Sequence, residues 1–424
     1  MKNKFLLSFV VVVTLLVIYV LNHIYLGIQF DFVNFFVLFV SSSVLTVFVS
    51  VQKIKKNYLL LLFSISFLGL LIFSCFKINA LQGRYDGFFL YVVGLGFCLT
   101  ALFLYLADKI NLPVVNGVRF ISVSFVYYSF LVLFVGLSAY VFSKTGIRAL
   151  HFIDGVRSNG ADFVIPGISG LAAIFKWSLL MLIPFVKLKR IIIILLVISI
   201  VAVLHGKRGD VFRALLFASV YFSYLHFDRL SFKKFGFFIL FSSSALVLFG
   251  YLGDLRQQSY DSAFSIVSLS QSYFESSTLA WVFTYTGFNF NVLNSYPTNG
   301  VMDKMTYVLI PFLNNSAVES YFANLSAISI SGFNASTFLG PLVYDLGVFF
   351  WLELLVFLFL LIGLVFLTRV SRHRGAYFML ALLIVLLPFG NYVLTPSYFY
   401  SILFSCFIFL FVKLPVGQPR STLK

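Results

Sequence analysis

Twelve apolar runs follow one another along this chain, most of them close to the ~20 residues that an α-helix needs to cross ~30 Å of hydrocarbon. They lie near 5–21, 32–51, 58–76, 88–107, 120–142, 168–186, 191–204, 211–227, 235–252, 338–367, 376–393 and 397–413. Of the 424 residues 61% are hydrophobic and 10% charged, against roughly 45–50% and 25% in soluble domains. A water-soluble chain of this length would divide into domains that each need a charged exterior. The 56 Phe and 23 Tyr exclude disorder as firmly. The expected fold class is therefore an all-α polytopic membrane protein of about 12 transmembrane helices, one integral membrane domain over 1–424. Lys2 and Lys4 precede the first run as in a signal peptide. Its apolar stretch is long, however, and no small-x-small cleavage pattern follows, so it reads as an uncleaved helix.

An even number of spans puts both termini on one side, and basic residues choose the side. Nineteen of the 30 Lys and Arg fall on the termini and the connections that share their face. Nine fall opposite: Lys77, Arg84, Lys144, Arg148, Arg157, Lys207, Arg208, Arg256 and Lys304. Lys176 and Arg213 lie within or at the edge of spans. The positive-inside rule makes both termini cytoplasmic. The net charge of +16 is then mostly topology, and no nucleic-acid partner is expected. The outer face carries a 143–167 loop, a tight 205–210 turn and a large 253–337 loop, whose amphipathic stretches at 263–269 and 279–283 read as short interfacial helices. Loops of that length are usually functional.

Ionisable residues at membrane depth are expensive and point to function. The sharpest case is His205-Gly206-Lys207-Arg208-Gly209-Asp210, which follows a run of about fourteen apolar residues. Two glycines flank adjacent cations there, and Arg213 follows in the next helix. Such a turn suits a lipid-borne phosphate, because a guanidinium binds phosphate bidentately; the bland reading is a hairpin whose cations snorkel to phospholipid headgroups. Arg84 and Asp86 form either a local ion pair or a sugar or phosphate contact. Arg148, His151, Asp154, Arg157 and Asp162 make the 143–167 loop either a solvated segment or a second anion site. Arg256 closes the ninth run and is placed to approach Arg208. Asp345, in an apolar run, is either a partner of Arg208 or Arg256 or a group poised for proton transfer, and Glu353 reads as a packed, paired residue. Cys75, Cys98 and Cys406 lack metal or redox spacing, the five His are scattered, and no metal or cofactor motif is present.

These features together resemble the bacterial O-antigen polymerases (Wzy type), also called oligosaccharide repeat unit polymerases. The matching pieces are the Phe-rich spans, Gly206-Lys207-Arg208-Gly209 in mid-chain, the large outer loop, and Ser336-Thr337-Phe338 running on to Tyr344-Asp345-Leu346-Gly347. The resemblance implies a GT-C-like multi-pass protein of the bacterial inner membrane. It would transfer a glycan from undecaprenyl diphosphate onto another lipid-linked repeat unit at the periplasmic face, using neither a metal, a cofactor nor a nucleotide sugar. Lipid-linked oligosaccharides are its implied substrates, and chain-length regulator and flippase proteins its partners. Arg208, Lys207, Arg256 and Arg213 would hold the diphosphate, Arg84, Arg148 and Arg157 the rest of the substrate, and Asp345 or Asp210 would act as catalytic carboxylate. The alternatives are a flippase for the same lipid-linked units, with a similar number of spans, and an O-antigen ligase, for which only His151 and His205 could supply an outer histidine.

Overall fold

A computed structural model describes residues 12–21, 31–51, 57–76, 85–109, 120–153, 160–226, 289–302, 304–328 and 337–413. Over these the chain is mostly helical, and five helical stretches are long and apolar enough to cross a membrane: Tyr58–Cys75, Gly87–Lys109, Val123–Thr145, Ile168–Phe185 and Leu339–Val370. In chain order the helices are α1 (Val12–Leu21), α2 (Phe32–Val51), α3 (Tyr58–Cys75), α4 (Gly87–Lys109), α5 (Val123–Thr145), α6 (Arg148–Ile153), α7 (Ile168–Leu180) and α8 (Leu188–Leu204). They continue with α9 (Arg208–His226), α10 (Asn289–Asn294), α11 (Asn315–Ile328), α12 (Leu339–Leu346), α13 (Phe350–Val370), α14 (Arg374–Leu386) and α15 (Pro396–Phe409). The predicted run at 235–252, the start of the first one and the 263–269 and 279–283 stretches lie outside the described residues.

Local chemistry sets several of the helix ends. Ser122 accepts the Phe125 N–H at 3.1 Å and opens α5, and Gly146 closes it with φ +78°. Asp86 opens α4 by accepting the Phe89 N–H at 2.7 Å. Short strands β1 (Ile121–Ser122) and β2 (Val412–Lys413) pair in parallel, joining the start of α5 to the end of α15.

The centre of the bundle is α14. Every residue from Gly375 to Ile384 is buried, and the helix packs against α3, α9, α13 and α15. Gly375 is required there, since a β-carbon would lie 1.6 Å from the Met181 carbonyl oxygen. The periphery is apolar too: Phe125, Val132 and Phe359 are each about two-thirds exposed (65–67%). Large apolar side chains on the outside and inside of one bundle are what a lipid environment selects.

The structure departs from the sequence reading at the 338–367 run, which is not one helix. It breaks at Gly347, whose φ of +55° ends α12 before a single 3₁₀ turn (Gly347–Phe349) leads into α13. Residues 298–301 dock on this break. Val301 N–H donates to the Tyr344 carbonyl at 2.8 Å, and Val348 N–H to that of Thr298 at 2.9 Å. A β-carbon on Gly347 would meet Thr298 O at 2.2 Å, and one on Gly300 would meet Asp345 O at 2.5 Å. Two glycines thus let two backbones touch.

Candidate functional site

The turn between α8 and α9 is a helix-capping device before it is anything else. Gly206, at φ +66°, occupies the left-handed position that ends α8. Its N–H donates to Val203 O at 2.8 Å and the Lys207 N–H to Ala202 O at 2.8 Å, the paired bonds of a glycine-closed helix end. The chain then re-enters a helix at once, so α9 starts at Arg208, with Asp210 in its first turn and Arg213 in its second. Gly209 leaves room beside the Arg213 guanidinium, 3.4 Å from where a β-carbon would sit.

Asp210, only 8% exposed, joins two cations. Lys176 of α7 donates from Nζ to its Oδ2 at 2.5 Å, and Arg213 from Nη1 to its Oδ1 at 3.0 Å. Aromatic rings wall the cluster. The Arg213 guanidinium lies 4.5 Å from the Tyr392 ring centroid and 5.9 Å from that of Tyr398. Lys176 Nζ lies 4.2 Å from the Trp177 ring, and Trp177 in turn faces Tyr398 at 4.6 Å. Lys207 is exposed beside them, and α6 packs on α8 so that the charge of Arg148 also reaches His205. Burial first, then Lys207 and Lys176, hold the His205 imidazole down to about 4, so it is neutral at pH 7. Its ring packs at a tilt against Phe142, 4.4 Å between centroids.

The charge balance follows directly. One carboxylate serves Lys176 and Arg213, with Lys207 alongside and the positive end of the α9 dipole beneath. Surplus positive charge therefore collects at a helix N-terminus walled by tyrosine and tryptophan. Such an arrangement suits an anion with several oxygens, of which phosphate is the chemical type.

A second constellation lies on the broken helix. Asp345, fully buried, accepts from the Thr306 and Tyr307 N–H groups through Oδ2 at 2.7 and 2.8 Å, and from the Tyr321 hydroxyl through Oδ1 at 2.8 Å. Glu353, also fully buried, accepts the Val308 N–H through Oε1 at 3.0 Å. Two carboxyl groups thus cap three successive N–H groups at the start of the 3₁₀ segment Tyr307–Phe312. That segment reaches the first cluster: the Tyr307 hydroxyl donates to Asn391 O at 3.4 Å, next to Tyr392, and the Tyr400 hydroxyl to Pro311 O at 2.6 Å. The 298–312 segment therefore braces the 390–395 connection whose tyrosine sits under Arg213.

Of the residues singled out from sequence, the structure brings together Lys207, Asp210 and Arg213. Arg148 lies on α6 near His205. Asp345 is engaged by the Thr306 and Tyr307 amides and the Tyr321 hydroxyl, with the Glu353 carboxyl beside it. Asp86 caps α4. Arg208 starts α9 by its backbone, while its side chain, with Arg84, Arg157 and Arg256, lies outside the described residues. Sequence reasoning passed over Lys176, Trp177, Tyr392 and Tyr398. The signal for Lys176 was present, since a lysine eight residues inside an apolar run needs a carboxylate nearby. Nothing in sequence marks the two tyrosines. Among the described residues no group of three His, Cys, Asp or Glu is placed to hold a metal ion. Comparison with protein-family models, with characterised proteins and with solved structures returned no match.

Proposed function

We propose that the chain is a glycosyltransferase of the bacterial inner membrane that polymerises undecaprenyl-diphosphate-linked oligosaccharide repeat units into O-antigen or a related surface polysaccharide. The observation that carries this reading is the cationic surplus at the start of α9, with Lys176 and Arg213 sharing Asp210 and aromatic walls around them. About twelve spans, cytoplasmic termini and a GT-C-like arrangement complete the proposal, with the 205–210 turn and the 289–350 region on the periplasmic side.

In this mechanism a sugar hydroxyl of one lipid-linked unit attacks the anomeric carbon of a glycan carried on undecaprenyl diphosphate. The carbon–oxygen bond to the diphosphate breaks, and its electron pair leaves with the phosphate. Arg213, Lys176 and Lys207, joined by Arg208, stabilise that developing charge, and the proton of the hydroxyl passes to a phosphate oxygen. Asp210 holds the two buried cations in place. Asp345, with both oxygens engaged, holds the outer segment. Tyr392 and Tyr398 hold the guanidinium beside their rings and keep water away from it.

The test is turnover by the purified full chain reconstituted with lipid-linked repeat units. Wild-type protein is expected to build multi-unit glycans. Arg213→Met, inserted normally, is expected to lose about 100-fold or more in rate, the usual effect of removing one preorganised donor to a leaving oxyanion. Unchanged turnover in this variant would remove Arg213 from the reaction.

A second reading has its own support. A buried Lys–Asp–Arg set between α7 and α9 is also what a carrier of charged lipids places along its path. The flippase alternative is separated from the polymerase by the surface glycan itself, as described below.

A further inference from the structure

The two carboxyl groups on the broken helix raise a question of charge that their capping role leaves open. Asp345 and Glu353 are both fully buried. Eight positions and the break at Gly347 separate them. Yet successive amides of one segment dock on both, Tyr307 N–H on Asp345 Oδ2 and Val308 N–H on Glu353 Oε1. Their side chains consequently lie within hydrogen-bonding reach of each other. Two carboxylates so close repel, and burial removes the water that would screen them, so such a pair keeps at most one charge.

Three of the four oxygens are taken. Asp345 Oδ2 accepts the Thr306 and Tyr307 amides, Oδ1 accepts the Tyr321 hydroxyl, and Glu353 Oε1 accepts the Val308 amide. Glu353 Oε2, buried as well, finds no donor among the described residues. No ion pair among those residues reaches either carboxyl. The titratable groups facing them are phenols: Tyr307 and Tyr321, Tyr344 of α12, and Tyr296 and Tyr392 beyond Tyr307. Lys304 and Glu319, the charged residues of the 304–312 segment and of α11, are exposed. A metal ion needs several oxygens free of hydrogen donors, and this pair offers one. A proton needs only that one.

We infer that Asp345 and Glu353 hold one proton between them, carried on Glu353 Oε2 and donated to Asp345, and that it latches the 304–312 segment to the broken helix. Asp345 is the charged member because three donors favour a carboxylate, whereas Glu353 accepts from one. The latched pair then carries a single negative charge, matched by three amides and a hydroxyl. Hydroxide taking the proton forms water and leaves two charges facing each other in an apolar site. The relief is to let the segment go, so that water reaches both. Tyr307 also reaches Asn391 O, so release is felt at the connection under Arg213. The latched form binds one proton more than the released form above neutral pH, so rising pH favours release. The latch stands whether or not the chain joins sugar units.

The experiment uses the purified full chain in detergent and reads two signals. Infrared difference spectra of wild type minus Glu353→Gln are expected to show, at pH 7, the carbonyl band of one hydrogen-bonded carboxylic acid. Glu353→Gln keeps a donor to Asp345 at every pH and serves as the control for the protease's own pH dependence. Relative to it, wild-type cleavage between 298 and 312 is expected to accelerate once that band fades, by at most about tenfold per pH unit for one proton. No acid band lost in Glu353→Gln overturns the shared proton. A cleavage ratio between the two proteins that does not change with pH overturns the latch. Where Glu353→Gln does not fold, wild type alone decides: the acid band must fade over the pH range in which cleavage rises, and two unrelated ranges overturn the inference. Protection that requires added magnesium or calcium, with no acid band, would make the pair a cation site and overturn it as well.

Discussion

Asp210→Ala is expected to cost about 3–5 kcal/mol of stability, because it leaves two buried cations without their counter-charge. Lys176 and Arg213 both end on this carboxylate, at 2.5 and 3.0 Å, and their side chains are only 11% and 21% exposed. Neither can swing to water without leaving the aromatic wall formed by Trp177, Tyr392 and Tyr398. The effect is asymmetric. Lys176→Met should cost much less, since Arg213 still neutralises Asp210, and the double variant Lys176→Met/Asp210→Ala should recover part of the loss by removing one orphaned charge. Thermal unfolding in detergent reads all three. An Asp210→Ala protein with an unchanged Tm would mean that the cations find other partners, and that this carboxylate does not organise the cluster.

Gly347→Ala is expected to be the other severe substitution, through the backbone rather than through charge. The residue is held at φ +55°, which costs an L-residue about 1–2 kcal/mol. Its new β-carbon would also fall 2.2 Å from Thr298 O and 2.4 Å from Gly300 N, an overlap worth about 1–3 kcal/mol more if the segments stay docked. The bundle has a cheaper response, which is to release residues 298–301. Release would loosen the 3₁₀ segment capped by Asp345 and Glu353, and with it the brace on Asn391 beside Tyr392. Limited proteolysis between 298 and 312 should therefore accelerate in Gly347→Ala while the helical content of the bundle is kept. Equal proteolysis rates in the variant and wild type would show that the break in the helix does not hold the 298–312 segment.

These two sites also divide what sequence reveals from what it hides. Apolar run length is a local property, so helices lie on the runs at 58–76, 88–107 and 120–142 nearly residue for residue. Gly206 and the adjacent cations are local as well, and the turn could be found from its glycines and its short preceding run. The pairing of Lys176 with Asp210 spans 34 positions and two helices, and hydropathy does not say which faces meet. Tyr392 and Tyr398 look like any aromatic residues near a membrane surface until Arg213 is seen above them. Asp345 takes its hydrogen donors from the backbone amides of Thr306 and Tyr307, nearly forty positions away, a pairing that no local pattern announces. The break at Gly347 was hidden by the apolar residues on both sides, which keep hydropathy high across it.

The parts fit one mechanical account. The α8–α9 turn sets cations at a helix N-terminus, Asp210 fixes two of them, and the 390–395 connection closes over Arg213. The 298–312 segment, clamped on the broken helix, holds that connection in place. The central claim is that this assembly joins lipid-linked sugar units and does not move them across the membrane. Its most direct measurement is the gel profile of surface polysaccharide from cells lacking the chain, compared with cells carrying wild type or an inserted Arg208→Ala variant. The account predicts long-chain ladders with wild type, and single repeat units only, still exported, in the other two. Complete absence of exported units without the chain would identify a flippase, and unaltered ladders would contradict the account outright.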